Sequence, residues 1–139
     1  MKPEGFSIPM TSSNIHGITT ERALNEGRDL KESLSLFSKL IQQSTTFIAH
    51  NISFDEKILG AEFLRKGMDL PLENKSKICT MDSTKIFCQI PTLYGYKKPK
   101  LSELYKKLFD SNLEYAHDAS IDVEATAKCF WRLRSMGIL

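Results

Sequence analysis

Two short β-prone strings, each running straight into a helix start, restrict this chain to one fold class. Thr45-Thr46-Phe47-Ile48-Ala49-His50 is continuously apolar at its centre, the pattern of a strand buried on both faces. Asn51-Ile52 turns the chain. Ser53 and Glu56 then form an S-x-x-E capping box, which opens a helix through Phe54, Ile58 and Ala61 that ends at Gly67. Lys77-Ile78-Cys79-Thr80-Met81 reads as a second strand, with Asp82 placed to cap a helix through Ile86 and Phe87. A strand, a helix and another strand in that order make the two strands parallel neighbours, so the expected class is α/β.

The remaining helices are read from caps and periodicity. Thr19 or Thr20 caps a short helix ending near Gly27. Asp29 with Glu32 resembles a capping box, followed by Leu30, Leu34, Phe37 and Ile41 on one stripe. Residues 1–18, with Pro3, Gly5, Pro9 and a Thr-Ser-Ser-Asn run, read as an extended arm and turns. Pro91, Gly95 and Pro99 hold a loop open, and Leu101, Leu104, Tyr105 and Leu108 make another amphipathic helix.

The last helix carries the sharpest chemical signal. Asp118 is a good N-cap and Gly137 supplies the stop. Helical spacing puts Ala119, Val123, Ala125, Cys129, Phe130, Leu133 and Met136 on one face, opposite Ser120, Glu124, Lys128, Arg132 and Ser135. Asp122 falls inside the apolar face, where a lone carboxylate costs several kcal/mol unless it is neutralised, paired or bound to a metal. His117, at the mouth of the same helix, is a candidate general base. Asp55 lies in the first turn of a helix just past a strand's carboxyl end, the place where open α/β sheets hold ligands.

At 139 residues, without repeats or linkers, residues 1–139 are expected to form one domain. No apolar run approaches ~18 residues and the first residues lack a secretory apolar core, so no membrane partner is expected and a cytoplasmic location is the default. Cys79, Cys88 and Cys129 lack C-x-x-C spacing, which leaves them as small core residues rather than zinc ligands. A net charge of +2 does not announce nucleic-acid binding by itself. Lys97, Lys98, Lys100, Lys106 and Lys107 do cluster near Tyr94 and Tyr96, and such rings among lysines suit a nucleic-acid strand as well as a solvated face.

Three strings in order resemble the DnaQ-like 3′-5′ exonucleases, the group of the ribonuclease-H-like superfamily with four acidic residues and a histidine. His16-Gly17-Ile18-Thr19 is similar to the family's His-Gly-Ile-Thr turn, Ala49-His50-Asn51-Ile52-Ser53-Phe54-Asp55 to its second acidic motif, and His117-Asp118-Ala119-Ser120-Ile121-Asp122 to its third. Lys100-Leu101-Ser102-Glu103-Leu104 also looks like the helix between the last two motifs. The resemblance implies two-metal hydrolysis of nucleotides from a single-stranded 3′ end, with Mg²⁺ or Mn²⁺ ions ~4 Å apart on clustered carboxylates. It implies Asp122 and Asp55 as metal ligands, His117 as the base, and Asn51, His16, Gly17 and Ile18 beside the terminal nucleotide. It also implies likeness to the proofreading subunit of DNA polymerase III.

The family's first motif, Asp-x-Glu on the opening strand, is not found upstream of Asp55. Asp122-Val123-Glu124 matches as a string, but Glu124 faces away on the helix. Lys2 to Pro9 looks like the end of the family's third strand, so the expected fold is a ribonuclease-H-like exonuclease lacking its first three strands, with about two parallel strands surrounded by helices. Two expectations follow: impaired catalysis, and an open edge on the Thr45 to His50 strand covered by the N-terminal arm, another copy of the chain or a partner. The alternative is a non-catalytic exonuclease remnant that binds nucleic acid or a protein partner.

Overall fold

Thr19 and Asp29 start helices as their types predict: Thr19 Oγ1 accepts from the Arg22 amide and Asp29 Oδ1 from the Glu32 amide. The computed structural model describes residues 1–72, 74–114 and 118–139. In chain order the elements are α1 (Met10–His16), α2 (Thr20–Glu26), α3 (Leu30–Gln43), β1 (Thr46–Ala49), α4 (Ile52–Arg65), β2 (Ser76–Cys79), α5 (Thr80–Ser83), α6 (Lys85–Cys88), β3 (Ile90–Thr92), β4 (Gly95–Lys97), α7 (Leu101–Phe109) and α8 (Ala119–Ser135). They divide between two compact units, residues 1–45 with 58–75, and residues 46–57 with 76–139.

The first unit is helical. Leu30 and Leu34 of α3 are buried with Phe63 near the end of α4, and Phe37 meets the Phe63 ring edge-on at 6.2 Å. Pro9 occupies the N-cap of α1, so a helix replaces part of the expected extended arm. Proline is tolerated there because the first helical turn has no amide bond to lose. The arm before it is not a strand. It is fastened by the Lys2 amide donating to the Arg28 carbonyl, the Ile8 amide donating to Thr20 Oγ1, and an ion pair of Lys66 with Glu4 at 2.5 Å. Gly27 admits the arm: a Cβ there would stand 2.8 Å from the Lys2 amide nitrogen.

The second unit holds both strand pairs. β1 and β2 pair in parallel, from Thr46 opposite Ser76 to Ala49 opposite Cys79. Mixed α/β architecture with a parallel pair is therefore present, as the strand-helix-strand order requires. β1 is half-buried throughout rather than buried on both faces, because β2 is its one strand partner among the described residues. Ile90 to Lys97 is an antiparallel hairpin, β3 with β4, where an open loop was expected. Leu104, Cys129 and Leu133 are fully buried where α7 meets α8, joined by buried Cys88 and by Phe87 and Leu101.

Periodicity misassigned the face of α4 and the two ends of the face of α8. In α4 Phe54 is 59% exposed and Ile58 also faces out, while Ile52, Leu59 and Phe63 turn inward. The helix begins at Ile52 instead of after Ser53, so no Ser53 cap forms; Glu56 instead pairs with Lys77 at 2.5 Å. In α8 the buried stripe is Ala125, Cys129, Phe130 and Leu133, whereas Ala119, Val123 and Met136 are exposed. Asp82 is likewise not a cap. It lies inside α5, with Cys79 Sγ accepting its amide and Lys98 paired with its carboxylate. Of the three cysteines, Cys88 and Cys129 are buried and Cys79 is half-buried.

Candidate functional site

The carboxyl end of β1 is tied down by one imidazole. His50 Nε2 lies 3.0 Å from the Pro99 carbonyl, which can only accept, so Nε2 carries the proton. In the neutral ring Nδ1 then accepts from the Thr80 hydroxyl, also at 3.0 Å. Thr80 and Thr84 are fully buried, and Thr84 Oγ1 donates to the Thr80 carbonyl at 2.6 Å. His50 thereby joins the end of β1, the start of α5 and the residue preceding Lys100 at the mouth of α7. Sequence reasoning gave it no role.

Burial lowers the His50 pKa below its ordinary 6.5, outweighing the Pro99 hydrogen bond and the negative charges of Asp122 and Asp82, which favour the proton. The folded protein therefore holds neutral His50 more strongly than the unfolded chain does. Its contribution to stability is complete above about pH 6.5 and is lost as pH falls through the lowered value. His50→Gln is expected to flatten the urea midpoint between pH 7 and 5 relative to the unsubstituted protein. An unchanged slope would assign that pH dependence elsewhere.

Asn51 adopts φ 73°, a left-handed conformation that asparagine tolerates better than most residues. Its carbonyl accepts the Phe54 amide at 2.9 Å, so the chain reverses and α4 begins at once. Asp55 sits in the first turn of that helix. It is half-buried, and burial raises its carboxyl pKa. Among the described residues no cationic side chain pairs with it; the neighbouring lysine contact is made by Glu56.

Asp122 is placed in the same way on α8. Asp118 caps that helix, its side chain accepting the Ser120 amide at 2.9 Å and its backbone carbonyl accepting the Asp122 amide at 2.9 Å. Asp122 is half-buried in the first turn, in line with buried Ala125, Cys129 and Leu133. Its charge bears on His50, which brings Asp122 electrostatically to the carboxyl end of β1. Glu124 pairs with Lys128 at 2.7 Å on the exposed side, so the Asp122-Val123-Glu124 string is not a pair of converging carboxylates. Two first-turn carboxylates in one unit, Asp55 and Asp122, are thus the geometry on hand.

His117 lies outside the described residues. His16, Gly17 and Ile18 belong to the first unit and are exposed. Gly17 ends α1 at φ 70°, and His16 Nδ1 accepts the Ile18 amide at 3.1 Å. No group of three potential metal ligands occurs among the described residues. Mg²⁺ does not demand one, because it is commonly held by one or two carboxylates, several waters and the phosphates of its substrate. A half-buried carboxylate without a cationic partner is a suitable oxygen donor for such an ion, and Asp55 meets that description.

Residues 1–130 match the family model for the exonuclease family RNase_T. A DNA polymerase III of the PolC type from Lactococcus lactis is 30% identical over 125 residues, 89% of this chain and 7% of the relative. The PolC-type DNA polymerase III of Pediococcus pentosaceus is 32% identical over 122 residues, 88% of this chain and 8% of the relative. The chain therefore spans less than a tenth of the length of these curated relatives.

Proposed function

The chain belongs to the RNase_T exonuclease family, and we propose that it is a 3′-5′ exonuclease domain of the proofreading type whose catalysis is impaired. The observation that carries this reading is the pair of half-buried carboxylates, Asp55 and Asp122, each in the first turn of a helix in the unit that contains β1. Both are proposed as oxygen ligands of a divalent cation, Mg²⁺ or Mn²⁺. When bound, such a cation stabilises the charge that develops on a phosphodiester during hydrolysis. Asp55 and Asp122 would hold that cation, and His117, as general base, would take the proton of the attacking water. Asn51 is assigned to the terminal nucleotide; His16, Gly17 and Ile18 belong to the other unit and take no part in this assignment.

Impairment is proposed for residues 1–139 taken by themselves: within them no Asp-x-Glu string lies upstream of Asp55, and Asp55 with Asp122 are fewer carboxylates than a two-cation site employs. A non-catalytic domain that holds nucleic acid or a protein partner is the second reading, favoured by the exposed Tyr94 and Lys100 in the stretch around the β3–β4 hairpin. No helix among the described residues is long and apolar enough to cross a membrane. A cytoplasmic setting is proposed as the one that fits action on nucleic acid.

One titration tests the assignment. A labelled single-stranded oligonucleotide is followed with increasing Mg²⁺ or Mn²⁺ for both binding and shortening. The expected result is binding that tightens with the cation, accompanied by slow shortening from the 3′ end. Tight cation-dependent binding with no shortening selects the non-catalytic reading. Fast shortening overturns the impairment, and binding indifferent to the cation overturns the site.

A further inference from the structure

The hairpin of β3 and β4 presents two large side chains to solvent for which the fold has no use. Leu93 is 95% and Tyr94 98% exposed, at the two-residue tip between Thr92 and Gly95. The tip is built, not slack: Thr92 Oγ1 donates to the Gly95 carbonyl at 2.8 Å and accepts the Tyr94 amide at 3.3 Å. Gly95, at φ 118°, supplies a backbone conformation that other residues rarely adopt. At its base the hairpin is anchored by Lys97 to Glu103 of α7 at 2.5 Å and by Lys98 to Asp82 of α5.

The surrounding charge selects the occupant. From Lys85 to Lys107 the sequence contains six lysines and one acidic residue, Glu103. Glu103 pairs with Lys97 and its charge also bears on Lys100, while Lys98 pairs with Asp82; Lys85 and Lys100 are exposed on either side of the hairpin in sequence, and neither forms an ion pair among the described residues. An exposed ring on a hairpin flanked in sequence by more lysines than carboxylates matches the requirements of a single strand, whose bases stack on aromatic faces while its phosphates meet cations.

We propose that the β3–β4 hairpin docks single-stranded nucleic acid, with a base stacked on Tyr94 and phosphates met by Lys85 and Lys100. The inference rests on the exonuclease reading for the class of ligand, but it uses residues that reading does not. It assigns the hairpin to the strand leading to the 3′ end and not to the bond that is cut. Sequence preference is expected to be weak, because every base has a face to stack.

Binding of a labelled oligothymidylate is measured by fluorescence anisotropy in EDTA, at two salt concentrations, so that neither cleavage nor the cation site contributes. Tyr94→Ala is expected to raise Kd by about 10-fold while Tyr94→Phe stays within about two-fold. Lys100→Gln is expected to reduce the slope of log Kd against log salt by about 0.7. Tyr94→Ala at the unsubstituted Kd overturns the proposal, as does an equal loss in Tyr94→Phe or no measurable binding by the unsubstituted protein. A hairpin that serves a protein partner gives the first of these results. The two readings fail separately: loss of cation dependence with the Tyr94 effect intact removes the exonuclease site alone, and the converse removes the hairpin assignment alone.

Discussion

Leu104→Ala is expected to lower the unfolding free energy by about 3 kcal/mol. Leu104 is fully buried between α7 and α8, against Leu133 and Cys129, which are fully buried themselves, and beside Cys88. Removing its side chain takes apolar surface out of the transfer balance and leaves a cavity that these neighbours fill only in part. Few residues in the second unit are buried to this degree, so the loss has no larger core to absorb it. Leu108→Ala, at a half-buried position of the same helix, is expected to cost clearly less. The check is the urea midpoint at constant m-value. A Leu104→Ala effect within about 0.5 kcal/mol of zero, the usual range for surface changes, would mean that α7 does not seal against α8.

That packing matters for the site because α8 carries Asp122 at one end and the buried Cys129 and Leu133 further along. The helix is positioned by its apolar stripe, and its first turn is held by Asp118. Both devices are local in sequence, which is why they were legible. The cap at Asp118, the stop at Gly137 and the place of Asp122 on the inward face follow from residue type and helical spacing. The same holds for α3, where Asp29 caps and Leu30, Leu34 and Ile41 are buried as the stripe predicts.

What was not legible depends on partners distant in the chain. Glu56 looked like half of a capping box, but Lys77 on β2 claims its carboxylate, and Asn51 at φ 73° starts the helix before Ser53. The helix starts two residues earlier than the box implies, and its inward residues are Leu59 and Phe63, which leaves Phe54 and Ile58 to solvent. His50 has its meaning through Thr80 and Pro99, 30 and 49 residues away, and no spacing rule reaches so far. The hairpin was hidden by Pro91 and Gly95, which read as loop signals. Pro91 is compatible with a strand in a two-stranded ribbon, where one edge needs no donor, and Gly95 follows the turn. The family strings were readable because each is compact. The half-burial of Asp55 was not, since burial is set by the whole fold.

Burial also separates a functional carboxylate from a structural one, and Asp55→Asn with Asp122→Asn exploits the difference. Burial raises the Asp55 pKa from its ordinary 3.8, so between that value and the raised one the folded state binds more protons than the unfolded state. Stability contributed by this group therefore falls as pH rises across that window, and at neutral pH the ionised carboxylate is a net cost to the cation-free fold. Asp55→Asn is expected to raise the thermal midpoint at pH 7 in EDTA. The same substitution is expected to weaken Mg²⁺-dependent oligonucleotide binding by at least about 10-fold, because changes around a metal site cost 10- to 100-fold even outside its direct ligands. Asp122→Asn is expected to weaken that binding at least equally, leaving binding in EDTA through the hairpin unchanged. An Asp55 that serves only the fold would behave the other way: its amide variant would melt earlier, and the cation dependence of binding would stay as it was.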